Sequence, residues 1–299
     1  MIKTGWLIYN GSLLSNKFLQ INEMYRQSAI KKGIQLKLIK NTEIYSMIDN
    51  YSLTIKLDEP FEEPDFVLFL DKDIRLAKQL ERMGLKLFNS ADTIEACDDK
   101  VITHQLLAQQ HIRTPKTLFS PLMFPGTGEK DNHFTDVVEQ HFTYPHIIKE
   151  AFGSFGAQVY LIHNYEELLA KRKELLYTPH LYQEFISSSF GKDARLFVVG
   201  EKVVASMYRT NSTDFRANIT NGGKAHKFDP PESFMELAVK ASKAVGADFS
   251  GVDLLFGENG EPIICEVNSN AHIKNVFDCT GVDVSSYIID YILEKMTND

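Results

Sequence analysis

Residues 251–268 read GVDLLFGENGEPIICEVN, two runs of strand-forming residues around Asn259-Gly260. Asn-Gly favours a two-residue type I′ turn. With that turn in place, Glu258 faces Glu261, Leu255 faces Ile264 and Asp253 faces Glu266. Strand alternation puts Asn268 on the same face, one pair further along. Leu254, Phe256, Cys265 and Val267 make the opposite face apolar. Two carboxylates directly opposed on one sheet face repel each other. A divalent cation between them removes the repulsion, and oxygen ligands with one neutral amide suit Mg²⁺ that shares phosphate oxygens. The alternative is an ordinary solvated hairpin face with two unpaired acids. Leu255 and Ile264 make the acidic face partly apolar too, which favours the metal.

Outward from this hairpin the chain has 299 residues, enough for two or three compact units. Its composition is globular, and with 32 Lys+Arg against 40 Asp+Glu the formal charge is −8. That balance argues against a nucleic-acid surface but leaves room for a local phosphate pocket. Cys97, Cys265 and Cys279 are unevenly spaced and read as reduced cytosolic thiols. The opening MIKTGWLIYNG reads as a first strand and not a signal peptide. No apolar run approaches the ~18–20 residues of a membrane span, so no membrane role is expected.

Strands at 4–9, 35–39, 66–70 and 86–88 alternate with helices to about Lys32 and over 74–83, implying a small parallel α/β unit that ends near Ala96. A helix then starts at Asp98-Asp99, and 121–133 is a polar loop. Short strands surround a helix (165–174) between His146 and Phe185. A hairpin turns at Gly200-Glu201, 231–245 is an amphipathic helix, and the chain closes in a helix from about Ser285.

Several cations and a glycine-rich segment fit an anion site. Lys149 precedes Gly153-Ser154-Phe155-Gly156, a flap whose backbone N–H groups can approach phosphate. It lacks the GK[ST] close of a Walker A loop, and a glycine turn in a hairpin is an equally ordinary reading. Lys100 lies in the first turn of its helix, opposing the helix dipole, so it is either an exposed lysine offset by two aspartates or a group that reaches an anion. Arg195, Arg209 and Arg216 fall within one short region, and Arg216-Ala217-Asn218 before Gly222-Gly223 suits a bidentate clamp on phosphate or carboxylate. No HExxH spacing or GxSxG elbow is present, which excludes the usual zinc and serine hydrolases. A dehydrogenase reading of the first unit fails for want of a GxGxxG after its first strand.

Six segments in this order resemble the ATP-grasp superfamily, most closely RimK-type α-L-glutamate ligases and related amino-acid ligases. They are DDKVITHQLLAQQHIRTPKT (98–117), IIKEAFGSFGAQVYLI (147–162), YQEFI (182–186), GKDARLFVVGEKVVASMYR (191–209), DFRANITNGG (214–223) and GVDLLFGENGEPIICEVNSN (251–270). The resemblance implies an α/β fold with α+β lobes. A Rossmann-like N-terminal domain (1–97) would precede a small ATP-grasp lobe with glycine loop and adenine hinge (98–186) and a C-terminal lobe with the metal and phosphate site (187–299). Lys100 and Lys149 would contact ATP phosphates under the loop Gly153, Ser154, Phe155 and Gly156. Gln183, Glu184, Phe185 and Ile186 would form the adenine hinge, with Asp193 near the ribose. Arg216 and Asn218 would face the transferred phosphoryl group. Arg216, Lys149 and Arg195 would be catalytic, and Asp253, Glu266 and Asn268 would hold two Mg²⁺, or Mn²⁺ in their place.

The implied chemistry is a cytoplasmic carboxylate–amine ligase. A substrate carboxylate attacks the γ-phosphate, and an amine-bearing acceptor displaces phosphate from the acyl phosphate. The added amino acid would be glutamate or another, the acceptor a small molecule, peptide or protein, and the assembly a homodimer or homotetramer. A dipeptide or peptide-metabolite synthetase and a non-catalytic ATP-binding regulator are the competing readings. One departure stands out. The family commonly continues its metal motif as Asn-Ser-Ser-Pro-Gly, whereas this chain reads Asn268-Ser269-Asn270-Ala271-His272, which puts glutamate itself in question.

Overall fold

The computed structural model describes residues 3–59, 62–126, 133–154 and 156–298. The chain begins with β1 (Lys3–Tyr9), α1 (Asn16–Lys31), β2 (Ile34–Lys40), a hairpin of β3 (Ile44–Asp49) and β4 (Ser52–Leu57), β5 (Phe66–Leu70), α2 (Ile74–Arg82) and β6 (Leu87–Phe88). The four parallel strands lie in the order β2-β1-β5-β6. Strand β5 is buried along its whole length, as expected of a parallel strand covered on both faces. The β3–β4 hairpin was not anticipated from the sequence. Its two-residue turn, Asn50-Tyr51, has φ of 47° and 65°, the left-handed pair that type I′ demands.

Helix α3 (Ala91–Asp98) follows, capped by Ser90, and then α4 (Lys100–Gln109). The sequence indicates one helix starting at Asp98-Asp99 and gives no sign of α3, whose last residue is Asp98. In the structure Asp99 is the N-cap of α4, accepting from Val101 N at 2.8 Å and Ile102 N at 3.4 Å, so Lys100 is the first helical residue.

The second sheet joins β7 (Thr117–Phe119), β8 (His146–Glu150), β9 (Val159–Ile162) and β10 (His180–Glu184), with α5 (His133–His141) and α6 (Tyr165–Glu174) packed on it. Its core, which includes Val138, Ile148, Leu168 and Tyr182, is its own.

The third sheet is antiparallel. It consists of β11 (Lys192–Val199), β12 (Lys202–Thr210), β13 (Lys224–Lys227), β14 (Phe249–Phe256) and β15 (Pro262–Asn268), with α7 (Glu232–Ala244) on one face. Helices α8 (Ile273–Thr280) and α9 (Val284–Asn298) lie between its other face and the N-terminal sheet, in a core that takes in Leu7, Tyr25, Phe197, Met207, Val276 and Ile289. Asn89 reinforces this union. Its buried amide donates to Phe249 O and Ser269 O and accepts from Asp248 N. The first and third sheets thus share a core and the second has its own, so the cleft between the second and third sheets lies between two separately packed units. No helix of the described residues is long and apolar enough to cross a membrane.

The hairpin at 249–268 corrects part of the sequence reading. Gly257 N donates to Glu261 O and Gly260 N to Gly257 O, so the loop has three residues, Glu258–Gly260, with Gly260 at φ 81°. Leu255 accordingly faces Ile263, and Leu254 faces Ile264. A bulge at Cys265 then returns the register, and Asp253 faces Glu266 after all. Cys265 does not point to the apolar face as anticipated. The bulge turns it, with Glu266, towards the cleft.

Candidate active site

A cleft opens between the second and third sheets, the concave, partly apolar setting in which ligands bind. Ile147, Val159, Phe185, Ile186 and Leu255 give its walls apolar side chains, and such a slot between two β-sheets accepts a flat ring. Lys100, Lys149, Arg216, Asn218, Asp253 and Glu266 line the same cleft. Of the residues singled out from sequence, Gly153, Ser154, Gly156, Gln183, Glu184 and Asp193 also line this cleft. Arg195 stands behind its floor on Asp253. Asn268 faces Gly251 across the hairpin and donates weakly to its carbonyl at 3.4 Å. Phe155 lies outside the described residues.

Local folding sets each of these groups. The bond from Lys100 N to Ala151 O, 3.0 Å, ties the start of α4 to the end of β8. Lys149 on β8 and Lys100 on α4 therefore project into one space. Lys149 is buried, with Nζ 3.6 Å from Cys265 Sγ. Lys100 Nζ lies 4.0 Å from Glu266 and donates to Gly153 O at 3.3 Å. Burial lowers the Lys100 pKa, Glu266 opposes that, and Lys149 and Lys72 add to it. A polyanion brought here relieves the repulsion between these lysines.

This has a pH consequence. The charge of Lys100 is present below its lowered pKa and lost as pH rises through it. Nucleotide affinity measured against pH should therefore fall on the alkaline side before the ordinary lysine value of about 10.4. Lys100→Arg, which stays charged, should move that limb upward. A limb that does not move would belong to another group.

The glycine loop is drawn down onto the opposite lobe. Arg216 donates to Gly156 O at 2.6 Å and pairs with Asp214. Gly156 has φ 73°, and a Cβ there would stand 2.9 Å from Asn218 Oδ1, so both conformation and approach require glycine. Lys72, which sequence reasoning missed, donates to Ser154 Oγ at 3.2 Å and pairs with Asp98. It comes from the N-terminal unit, just after β5, and nothing in its local sequence places it at this loop.

Behind the cationic lining lies a buried cluster. Arg195 grips Asp253 bidentately, Nε and Nη2 each at 2.6 Å. Arg209 grips Asp193 in the same way and adds a bond from Nη2 to Asp253 Oδ2 at 2.9 Å. Burial opposes ionisation of Asp253, but the two guanidiniums outweigh it and hold its carboxyl below the usual carboxylate value.

Among the described residues no group of three or more His, Cys, Asp or Glu could cage a metal ion. Two carboxylates, Asp253 and Glu266, do line the cleft, and Mg²⁺ binds through one or two carboxylates and completes its shell with phosphates and water. Glu266 is the more accessible ligand, with 29 % of its side chain exposed. Asp253 Oδ2 accepts from two arginines and Oδ1 from one. Oδ1 thus keeps a lone pair to offer. The residues present fit a phosphate-bound Mg²⁺.

The altered loop 270–272 borders a second, smaller hollow at the ends of β1 and β5, lined among others by Asn10, Phe18, Asn270 and His272. Asn270 donates to Leu70 O at 2.7 Å, and Ala271 closes over Gly251, where an added Cβ would approach its methyl to 2.3 Å. His272 meets the Phe18 ring edge-on, and burial with Arg195 nearby pushes its pKa down to about 4.

Residues 97–292 match the RimK-like ATP-grasp domain family. The uncharacterized protein MG012 of Mycoplasma genitalium is 32% identical over 259 residues, 86% of this chain and 90% of that protein. A probable alpha-L-glutamate ligase of Stenotrophomonas maltophilia is 31% identical over 99% of both chains. Among solved structures, the ATP-grasp ligase PsnB complexed with minimal precursor superposes with a TM-score of 0.71 at 17% identity, covering 99% of this chain and 100% of its own. The chain belongs to the RimK-like ATP-grasp ligase family.

Proposed function

We propose that this protein uses Mg-ATP to activate a carboxylate as an acyl phosphate and couples it to an amine, attaching an amino acid to a small-molecule, peptide or protein acceptor. The observation that carries the reading is the convergence of Lys100, Lys149 and Arg216 with Glu266 in one cleft beneath the glycine loop. In this reading the apolar slot takes adenine against the hinge Glu184–Ile186, with Asp193 towards the ribose. Lys100 and Lys149 hold phosphate oxygens, and Arg216 with Asn218 receives the phosphoryl group in transfer. Arg195 keeps Asp253 ionised and oriented. Asp253, Glu266 and Asn268 would hold two Mg²⁺. What Mg²⁺ supplies when bound is neutralisation of phosphate charge and polarisation of the transferred group.

The rest is positioning. Cations and N–H donors stabilise charge as it moves from the γ-phosphate to ADP, and loop closure keeps water from the acyl phosphate. Glutamate is the first candidate for the added amino acid, given the relative named as a glutamate ligase. A peptide is a strong candidate for the acceptor, given the neighbour solved with a precursor.

The test is ADP release with Mg-ATP over pools of amino acids and acceptors, with hydroxylamine to trap an acyl phosphate as a hydroxamate. One pool should stimulate both signals. ATP binding with no stimulation by any pool would make the protein a nucleotide-binding regulator instead.

A further inference from the structure

Lys72 belongs to the N-terminal unit, just after β5, yet its ammonium reaches the glycine loop. Its backbone is fixed on both sides. Its N–H donates to Asp71 Oδ1 at 2.7 Å, an oxygen that also accepts from Asn10, and its carbonyl accepts from Ile74 N at 2.9 Å. Asp98, the last residue of α3, pairs with Lys72 Nζ, and only 16 % of the Asp98 side chain is exposed. From this hold Nζ donates to Ser154 Oγ at 3.2 Å. A long side chain whose head is already fixed by one partner loses less freedom on meeting a second.

Two other cations hold the same loop. Lys100 donates to Gly153 O at 3.3 Å and Arg216 to Gly156 O at 2.6 Å. Both line the cleft, and both must divide their donors between the loop and any phosphate that enters. Lys72 is not among the residues that line the cleft, so its bond to the loop meets no such competition. Nor does that bond use up Ser154. A hydroxyl that accepts from Lys72 keeps its own proton to donate to a phosphate oxygen.

We propose that Lys72 is a positioning residue which, oriented by Asp98, holds Ser154 and with it the start of the glycine loop over the bound nucleotide, and so slows nucleotide release. The inference rests on the reading of the cleft as an ATP site. The N-terminal unit thereby takes part in nucleotide retention without touching the nucleotide. Lys100 and Arg216 are free to turn to the phosphates because a third cation, from outside the cleft, keeps the loop in place.

The experiment binds a ribose-labelled fluorescent ATP with Mg²⁺ to the full chain, chases it with unlabelled ATP, and reads association and dissociation rate constants by rapid mixing. The variants are Lys72→Met, Lys72→Arg, Ser154→Ala and the double variant Lys72→Met with Ser154→Ala, and thermal melting of each monitors the fold. With 42 % of the Lys72 side chain exposed, its bond has the worth of a screened pair, so Lys72→Met should speed dissociation about two- to fivefold. Lys72→Arg, which keeps both charge and donor, should stay near the parent. Ser154→Ala should also speed release, and Lys72→Met should add nothing in that background, because the bond is already gone. An effect of Lys72→Met that persists undiminished beside Ser154→Ala would come from the charge left on Asp98 and would overturn the proposal. Unchanged dissociation in Lys72→Met would overturn it too, as would a loss confined to association, the mark of a charge that only steers. Failure of the unaltered protein to bind the labelled nucleotide would instead overturn the reading of the cleft, and this inference with it.

Discussion

Glu266→Gln should lower Mg-dependent ADP release by at least a factor of about 10²–10³, the scale of losing one aligned electrostatic contact in a catalytic site. Glu266 is the carboxylate with room to act. Its only ion pair among the described residues is the 4.0 Å approach of Lys100, whereas Asp253 is 4 % exposed and held by two arginines. The sign of the binding change separates loss of a metal ligand from general damage. Without Mg²⁺, Glu266 and a triphosphate repel each other, so the neutral glutamine should bind free ATP at least as tightly as the parent does. With Mg²⁺ the order should reverse, because a ligand has been lost. Titrating nucleotide with and without Mg²⁺ checks this directly. Unchanged turnover, or equal weakening under both conditions, would remove Glu266 from the metal site.

That Asp253 and Glu266 would stand opposite each other was legible in the sequence, though by a path that contained two compensating errors. Asn259-Gly260 was read as a two-residue turn, but Gly260 instead takes the left-handed position of a three-residue loop. The slip of one residue is cancelled by the bulge at Cys265. A bulge inside a run such as PIICEVN has no local signature, because its residues are all good strand formers and tertiary contacts decide where the extra one goes. The type I′ turn that does exist, at Asn50-Tyr51, was hidden because tyrosine seldom occupies a left-handed position.

Periodic elements were easier. Strand β5 and helix α6 fall where hydrophobic patterning and turn residues put them. Lys72 and the partners of Arg209 could not be found this way. Each acts on residues far along the chain, and arginine or lysine in isolation reads as surface.

The largest structural effect is expected from Arg209→Met. Arg209 is 3 % exposed and supplies the two bonds that neutralise Asp193, itself 8 % exposed. Methionine fills much of the same space but leaves Asp193 a buried charge with no guanidinium in contact. Breaking such a pair costs about 3–5 kcal/mol, or roughly 5–8 °C in melting temperature for a chain of this size.

The loss should depend on pH, with a sign that can be worked out. Stripped of Arg209, Asp193 has a folded-state pKa raised by burial, so the penalty is full above that raised value. It disappears as pH falls below the unfolded value of about 3.9, where Asp193 is protonated in both states. Asp253 in the parent runs the other way. Its carboxyl is held low by Arg195 and Arg209, so its stabilising contribution is present above about 3.9 and is lost as pH falls through its lowered value. The gap between parent and variant should therefore narrow from both sides on acidification.

Adding Asp193→Leu to Arg209→Met removes the stranded charge and should recover most of the melting temperature, since a buried ion pair replaced by apolar groups of similar volume is often near neutral. Turnover should not recover with it. Asp253 would still lack its bond from Arg209 and would be held by Arg195 alone, so the oxygen meant to meet the metal would be less firmly aimed. Recovery of stability without recovery of rate would assign the cluster two separate tasks: Asp193 with Arg209 holds the floor of the cleft, and Arg209 with Arg195 aims Asp253. If the double variant regained both, the orientation of Asp253 would rest on Arg195 alone.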